Sequence, residues 1–255
     1  MSGEGRLSPR RIVSLVPSLT EALFAFGAGE RLVGCTRYCT HPPEGVAQLA
    51  KVGGTRKFSV ARVLDLEPDL VVAVKEENDR EQVEELRLAG VPVFVGEPTS
   101  VASAVSLLRQ LAQVSAAPKA DQTIEDIDRT HLELSAGRRA RRRVFVPIWK
   151  EPYMTVGGDT YAHDVLGVCG GDNVFSDRQR YPKVSVEEIE AASPEVILLP
   201  DEPYEFSETD RREALRLDTP AARGGRVYLV DGKTLTWYGA RIAASLRELS
   251  ELIWR

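Results

Sequence analysis

Short apolar runs alternate with longer amphipathic stretches along most of the chain. The runs have the length of buried strands. Seven strands are predicted on this pattern: Ile12–Val16, Leu32–Cys35, Leu70–Val74, Val91–Val95, Val144–Ile148, Glu195–Leu199 and Val227–Val230. Strands that alternate with helices in this way are typical of an α/β protein with parallel sheets.

The amphipathic stretches carry the signals that start helices. Ser18 with Glu21, and Ser185 with Glu188, have the spacing of a capping box. Asn78 has the side chain of an N-cap and precedes another amphipathic stretch. The sequence therefore predicts helices that begin after Ser18, Asn78 and Ser185.

The middle of the chain predicts one long helix. From Pro118 to about Arg139 there is no glycine before Gly137, which gives a helix of some 20 residues or roughly 30 Å. An arginine cluster follows at its end, and we interpret it as a solvated helix terminus. The cluster comprises Arg138, Arg139, Arg141, Arg142 and Arg143.

The pattern on one side of this helix is repeated on the other. The stretch from Ser59 to Val71 matches the stretch from Ser185 to Ile197 at a constant offset of 126 residues. Each stretch reads as a capped helix, a proline, an acidic residue and a buried strand. We therefore predict an N-terminal α/β lobe over residues 1–116, a connecting helix over 117–140 and a C-terminal α/β lobe over 141–255.

Length and charge limit the class of partner. The chain has 255 residues, enough for two lobes. Its formal net charge of −5 weighs against a nucleic-acid partner. The cysteines Cys35, Cys39 and Cys169 lack the spacing of a structural zinc site, so we expect ordinary thiols.

No apolar run has the length of a membrane span, and Met1–Arg11 lacks the pattern of a signal peptide. The sequence therefore predicts a cytoplasmic protein, or a periplasmic or cell-surface one if a leader has been removed.

The residues that could carry chemistry follow the predicted strands. Two of the three tryptophans and four of the seven tyrosines lie in five such loops. The loops are 37–43, 75–78, 149–154, 201–206 and 236–239. Ligands of open α/β sheets bind beyond the carboxyl ends of the strands, and aromatic faces suit a bulky ring system. We therefore expect a ligand cleft between the lobes.

Among the residues of these loops, His41 has the most specific predicted role, as a ligand of a metal. A neutral imidazole is a common ligand of cobalt, iron and zinc, so His41 could coordinate the metal of a bound chelate. The alternative is a histidine that only forms hydrogen bonds. Glu76 and Glu202 follow equivalent strand ends, but no nucleophile motif accompanies them, so no catalytic residues are predicted.

Several stretches together resemble one known family. They are Val13–Glu21, Val33–Tyr38, His41–Pro43, Val52–Thr55, Leu66–Val71, Gly158–Tyr161, Cys169–Phe175 and Pro194–Ile197. By them the chain resembles the cobalamin-binding (class III) substrate-binding proteins of ABC importers, within the helical-backbone metal receptor superfamily. One departure is Lys57-Phe58, where some cobalamin binders carry a tryptophan.

The resemblance implies two Rossmann-like lobes joined by one rigid helix, with a corrinoid or related metal chelate between them. The protein would be a monomeric transport receptor, with an ABC permease as partner, or an intracellular carrier. It would have no intrinsic cofactor and no enzymatic activity. A haem or ferric-siderophore binding protein, and an enzyme acting on a bound chelate, remain the alternatives.

The resemblance also implies which residues contact the ligand. Tyr38 and His41 are the candidates from the first lobe, and Trp149 and Trp237 those from the second. The predicted set is completed by Ser18, Glu76, Asp159, Tyr161, Glu202 and Tyr238.

Overall fold

The computed structural model of the chain describes residues 8–137 and 140–255. They form two compact units. The first comprises the described residues up to Pro98, with Ser103–Asp126 and Tyr238–Ala240. The second comprises Thr99–Ala102, the described part of Ile127–Trp237, and Arg241–Arg255. Residues 1–7, where a leader was sought, and the predicted cluster members Arg138 and Arg139 lie outside the described residues.

The first unit is built on a five-stranded parallel sheet in the order β3-β2-β1-β4-β5. Its strands are β1 (Ile12–Ser14), β2 (Leu32–Cys35), β3 (Ala50–Lys51), β4 (Leu70–Val74) and β5 (Val93–Gly96). Its helices are α1 (Pro17–Ala25), α2 (Pro43–Ala47), α3 (Val60–Asp65) and α4 (Arg80–Leu88), with a 3₁₀ turn at Gly29–Arg31. The central strands β1 and β4 are buried along their whole length, as their apolar runs predict.

Two helices contribute residues to both units, namely α5 (Val101–Val114) and α6 (Ala120–Ser135). The division between the units falls inside α6, after Asp126. With 16 residues, α6 is shorter than the helix predicted from Pro118 to about Arg139. It ends before Gly137, a residue type that commonly terminates helices.

The second unit has a four-stranded parallel sheet in the order β11-β10-β6-β9. Its strands are β6 (Arg142–Phe145), β9 (Gly171–Asn173), β10 (Val196–Pro200) and β11 (Val227–Val230). A separate antiparallel hairpin pairs β7 (Pro147–Trp149) with β8 (Met154–Thr155). The helices are α7 (Tyr161–Val168), α8 (Val186–Ala191), α9 (Glu208–Ala214), α10 (Pro220–Arg223), α11 (Lys233–Thr236) and α12 (Ile242–Trp254).

The predicted strand Val144–Ile148 is wrong at its C-terminal end. The sheet strand β6 stops at Phe145, and Pro147 starts the hairpin instead. Proline has no backbone N–H and is tolerated at the first residue of a strand. The change of sheet therefore falls at the proline, and it carries Trp149 away from the parallel sheet.

The internal repeat is present in the structure. Ser59 caps α3 by accepting a hydrogen bond from the backbone of Arg62. Ser185 caps α8 and forms the predicted capping box with Glu188. Each helix leads into a fully buried strand, β4 in the first unit and β10 in the second. The match at 126 residues therefore describes one recurring helix–strand unit.

The predicted cap at Ser18 is wrong. Helix α1 begins at Pro17, and Val16 is its N-cap without a side-chain hydrogen bond. Proline is preorganised for the first helical position, so it takes this place and moves Ser18 into the first turn. Ser18 is buried there.

The predicted cap at Asn78 is also wrong. Asp79 caps α4, and its carboxylate accepts from the backbone N–H groups of Glu81 and Gln82. The Asn78 side chain accepts from the backbone of Val74 at 2.7 Å and donates to two backbone carbonyls. Asn78 therefore joins the loop after β4 to the backbone carbonyls of Leu15 and Thr55.

Each unit has its own apolar core. In the first unit the core includes Val13, Leu15, Val71 and Leu86, which are all buried. In the second it includes Phe145, Phe175, Ile189, Ile197 and Val227. Within the described ranges, no helix combines the length and the apolar character that a bilayer crossing requires.

Candidate functional site

The loop after β2 presents two of the predicted ligand residues. The backbone N–H of Cys39 donates to the carbonyl of Thr36 at 3.2 Å and closes a turn. Tyr38 lies in this turn with 57% of its surface exposed. The Arg37 guanidinium lies 5.7 Å from the centre of the Tyr38 ring. This loop thus offers an aromatic face beside a positive charge.

His41 follows in the same loop and is half-buried. Its Nδ1 lies 2.9 Å from the Thr40 hydroxyl. Coordination of a metal through Nε2 requires a proton on Nδ1, and the Thr40 oxygen can accept that proton in a hydrogen bond. The local geometry is therefore compatible with the predicted metal contact.

Glu76 and Tyr238 both lie in the first unit. Glu76 is half-buried after β4, and Arg56 donates to its backbone carbonyl. Tyr238 is buried, and its hydroxyl donates to the carboxylate of Glu77. Glu77 was not in the predicted set, although it lies in one of the five loops. The structure identifies it as the carboxylate that positions Tyr238.

Ser18 has an unusual environment in the first turn of α1. Its hydroxyl is buried and forms no hydrogen bond within the described ranges. The backbone of Gly239 packs against it, so that a Cβ at this position would lie 2.4 Å from the Ser18 carbonyl oxygen. Glycine is therefore required at 239 for this close approach.

The second unit exposes an aromatic residue on its hairpin. Trp149, at the end of β7, is 44% exposed. Its ring contacts Tyr204 edge-on, with centroids 5.7 Å apart, and Tyr204 in turn packs on Phe206 at 4.7 Å. Tyr204 follows β10 and was not predicted as a ligand residue. It supports Trp149 from a neighbouring strand-end loop.

Lys150, the residue after Trp149, forms ion pairs with two carboxylates of α9. The ammonium of Lys150 lies 2.7 Å from the Asp210 carboxylate and 2.6 Å from that of Glu213. Hydrogen bonds to Asp210 and Glu213 raise the pKa of Lys150 well above its usual value. Burial opposes ionisation of Asp210, but the bonds from Lys150 and Ser207 outweigh it and lower its pKa to about 2. The hairpin is thus fastened to α9.

Trp237 differs from Trp149 because only 8% of its surface is exposed. Its indole N–H donates to the Glu202 carboxylate at 3.1 Å, and the Arg241 guanidinium lies 4.7 Å from the ring centre. Burial raises the pKa of Glu202, and Lys233, 3.8 Å away, opposes the rise. Trp237 and Glu202 therefore form one structural pair, and their contact with a ligand stays a prediction.

Asp159 and Tyr161 flank the start of α7. The Asp159 carboxylate accepts from the backbone N–H of Arg180 at 2.6 Å, so it ties down the loop after β9. Tyr161 is buried, and this burial raises the pKa of its hydroxyl strongly. Asp159 thus has a structural role, Tyr161 is part of the buried interior, and their contacts with a ligand stay predictions.

The part of the chain that the structure describes contains no group of three or more His, Cys, Asp and Glu side chains arranged to hold a metal ion. The predicted metal contact at His41 is of another kind, since the metal would belong to the bound chelate.

Comparison with known proteins gives consistent matches over most of the chain. A family model described as periplasmic binding protein matches residues 12–234. A vitamin B12-binding protein of Yersinia pestis (strain Pestoides F) is 34% identical over 193 residues, covering 74% of this chain and 69% of the relative.

Two solved structures extend the likeness to the whole fold. A periplasmic vitamin B12 binding protein of Vibrio cholerae superposes with a TM-score of 0.86 at 23% identity, covering 96% of this chain and 97% of the other. A periplasmic heme-binding protein of Roseiflexus sp. RS-1 superposes with a TM-score of 0.84 at 27% identity, covering 96% and 98%. The two-lobed α/β fold predicted from the sequence is thereby confirmed.

Proposed function

Because the chain belongs to the periplasmic binding protein family, we propose that it binds a cobalamin-type corrinoid as the receptor of an ABC importer. The family and the relatives described above are binding proteins, and this supports binding without turnover. Two of the relatives carry vitamin B12 in their names, and this supports a corrinoid as the ligand.

The observation that carries the proposal is the exposure of the Tyr38 ring in the first unit and of the Trp149 ring in the second. Tyr38 follows β2 and is 57% exposed, and Trp149 ends β7 and is 44% exposed. Flat, partly apolar ligands are bound by such faces together with a few polar anchors. The position of the ligand in a cleft between the lobes stays a prediction.

The relatives also bear on location. The matching family and the two solved structures are periplasmic by name, which does not support the expectation of a cytoplasmic protein. We propose a periplasmic or cell-surface location, where a receptor can meet ligand before it reaches a permease. A permease partner and a monomeric state are part of the same proposal.

Haem is the second candidate ligand. The heme-binding protein of Roseiflexus is more similar in sequence, at 27% identity, than the solved vitamin B12 binder, at 23%. A half-buried histidine such as His41 can serve either metal, because imidazole binds both cobalt and iron.

A titration separates these candidates. Purified protein is titrated with cyanocobalamin, aquocobalamin and haemin, and followed by absorbance and calorimetry. We expect saturable one-to-one binding of the cobalamins, weakened at least about tenfold in Tyr38→Ala and in Trp149→Ala because each removes an aromatic face. Leu88→Ala is the matched control, since Leu88 is an exposed apolar residue outside the loops. Binding of haemin alone would replace the corrinoid by haem, and conversion of the bound ligand would favour an enzyme.

A further inference from the structure

Two buried cysteines of the first unit lie next to a lysine. Cys35 is the last residue of β2, and its register partner on β3 is Lys51. The Lys51 ammonium lies 3.1 Å from the Cys35 sulfur and is held there by a second hydrogen bond to the Val46 carbonyl at 2.9 Å. A cation is therefore fixed beside the Cys35 sulfur by the sheet itself.

The second cysteine is held on the other side. The Cys39 sulfur lies 3.1 Å from the Thr20 hydroxyl and 3.2 Å from the Thr36 hydroxyl. Cys35 and Cys39 also pack in one buried cluster with Val46. Both cysteines are free thiols in this structure. The two sulfurs thus share one buried polar cluster with different partners.

These surroundings make the two thiols chemically unequal. Interaction with the Cys39 side chain favours the Cys35 thiolate, burial opposes it, and Lys51 stabilises it further; together they lower the pKa of Cys35. Cys39 instead contacts the neutral hydroxyls of Thr20 and Thr36. The Lys51 cation therefore favours ionisation of Cys35 over that of Cys39, which is the arrangement of an attacking and a resolving thiol.

We propose that Cys35 and Cys39 form a redox-active dithiol, in which Cys35 is the nucleophile towards a peroxide and Cys39 resolves the product as a disulfide. The Cys35 sulfur attacks one oxygen of hydrogen peroxide, the O–O bond breaks, and the other oxygen takes a proton from solvent and leaves as water. The product is a sulfenic acid on Cys35.

Cys39 completes the sequence. Its sulfur attacks the Cys35 sulfur, an S–S bond forms and the S–O bond breaks, and the hydroxyl leaves with the Cys39 proton as water. Two electrons pass from the two sulfurs to one peroxide. A small oxidant suits the site because both sulfurs are buried.

The chain contains a convenient readout of this reaction. Trypsin cuts after Arg37, so Cys35 and Cys39 fall in the separate peptides 32–37 and 38–51. Protein is treated with hydrogen peroxide in the folded state, then denatured, alkylated, digested and analysed by mass spectrometry. We expect the two peptides to become linked and to separate again on reduction.

Cys169 is the internal control. It is buried in the second unit, and burial raises its pKa to about 12, so it should stay reduced and become alkylated. Oxidation of Cys169 as fast as Cys35, or absence of the linked peptides from folded protein after peroxide, would overturn the proposal.

Two variants separate the steps. In Cys39→Ser we expect Cys35 to stop at the sulfenic acid, which dimedone labels. In Lys51→Met we expect oxidation at pH 7 to slow about tenfold, because the thiolate loses its cation. Circular dichroism checks that each variant is folded. A folded Cys39→Ser protein that dimedone does not label, or a Lys51→Met variant that reacts at the wild-type rate, contradicts the assignment.

Discussion

Arg11 and Arg143 make the same contact at equivalent places in the two units. The Arg11 guanidinium donates to the carbonyl of Leu66 at 2.9 and 2.7 Å, and Leu66 is the C-cap of α3. Arg143 donates to the carbonyl of Ala192 at 3.1 Å, and Ala192 is the C-cap of α8. Leu66 and Ala192 fit the same 126-residue offset as the rest of the repeat. Each arginine therefore satisfies a helix-terminal carbonyl and complements the helix dipole.

Removal of either guanidinium should destabilise the protein modestly. We expect Arg11→Met and Arg143→Met each to lower the free energy of unfolding by about 0.5–1.5 kcal/mol, as for one exposed hydrogen bond. Urea unfolding followed by circular dichroism measures this. Arg→Lys at the same positions is the control that keeps the charge but loses the forked geometry. Methionine variants as stable as the wild type would show that the contacts contribute nothing.

The network around Lys150 predicts a dependence of stability on acid. The pKa of Asp210 in the folded chain is about 2, below the value of about 3.9 for an unperturbed aspartate. A lowered carboxylate pKa gives stability that is present above the unfolded pKa and is lost as pH falls through the folded pKa. In Lys150→Met we expect the acid unfolding midpoint to move to higher pH, and stability at pH 7 to fall by about 1–3 kcal/mol.

The pH-matched control for this network is Lys75→Met. Lys75 pairs with Glu97 at 2.7 Å, but both side chains are more than half exposed, so little stability should be lost. Melting temperatures are compared from pH 2 to pH 7. The same acid shift in both variants would show that the buried position of Lys150 is not the cause.

Ser18→Ala should act in opposite directions on stability and on binding. An unsatisfied buried hydroxyl is unfavourable, so its removal should leave stability unchanged or raise it by up to about 1 kcal/mol. If the hydroxyl contacts the ligand, as predicted, the affinity for cobalamin falls. Ser18→Cys is a control of similar size. Unchanged affinity in a fully stable Ser18→Ala protein would remove Ser18 from the site.

His41→Ala tests the metal contact spectroscopically. We expect aquocobalamin to change its absorbance bands on binding to the wild type, because an imidazole can replace the water on cobalt. Cyanocobalamin should change much less. The band shift should be absent in His41→Ala and kept in Thr40→Ala, which alters only the hydrogen bond to Nδ1. An identical shift in the His41 variant would exclude coordination by this residue.

Substitution of Trp237 should lower the stability of the fold more directly than it lowers ligand affinity. Because it is buried and bonded to Glu202, we expect Trp237→Ala to lower the free energy of unfolding by about 3 kcal/mol or more. Trp237→Phe keeps most of the volume but loses the indole N–H, so it should cost about 1 kcal/mol. Differential scanning calorimetry with and without ligand distinguishes this from a loss of affinity. A stable Trp237→Ala protein with weak binding would instead support a direct ligand contact.

The sequence predicted the strands better than the helix ends. The bounds of β2, β4 and β11 agree with the predicted runs, because apolar residues of strand length bounded by polar ones have few other stable conformations. The caps at Ser18 and Asn78 were wrong because the neighbouring Pro17 and Asp79 suit the same positions better. Neighbouring residues compete for the cap position, and a shift of one residue decides which of them takes it.

The candidate site was predictable only as a set of loops. Trp149 and Trp237 are alike in the sequence, since each follows a strand in an aromatic-rich loop. In the structure one is exposed on a hairpin and the other is buried against Glu202. That difference arises from residues distant in sequence, Tyr204 beside Trp149 and Glu202 beside Trp237, so no local pattern could show it.

The packing of Gly239 on Ser18 has a consequence for biosynthesis. The sheet of the first unit is complete in the chain by Gly96, yet Tyr238–Ala240 belongs to the same unit. A ribosome therefore has to make nearly all of the second unit before the first turn of α1 can receive Gly239. Until then the backbone of Ser18 lacks the packing of Gly239, and the carboxylate of Glu77 lacks the hydroxyl of Tyr238, so the first unit reaches its final contacts late in synthesis.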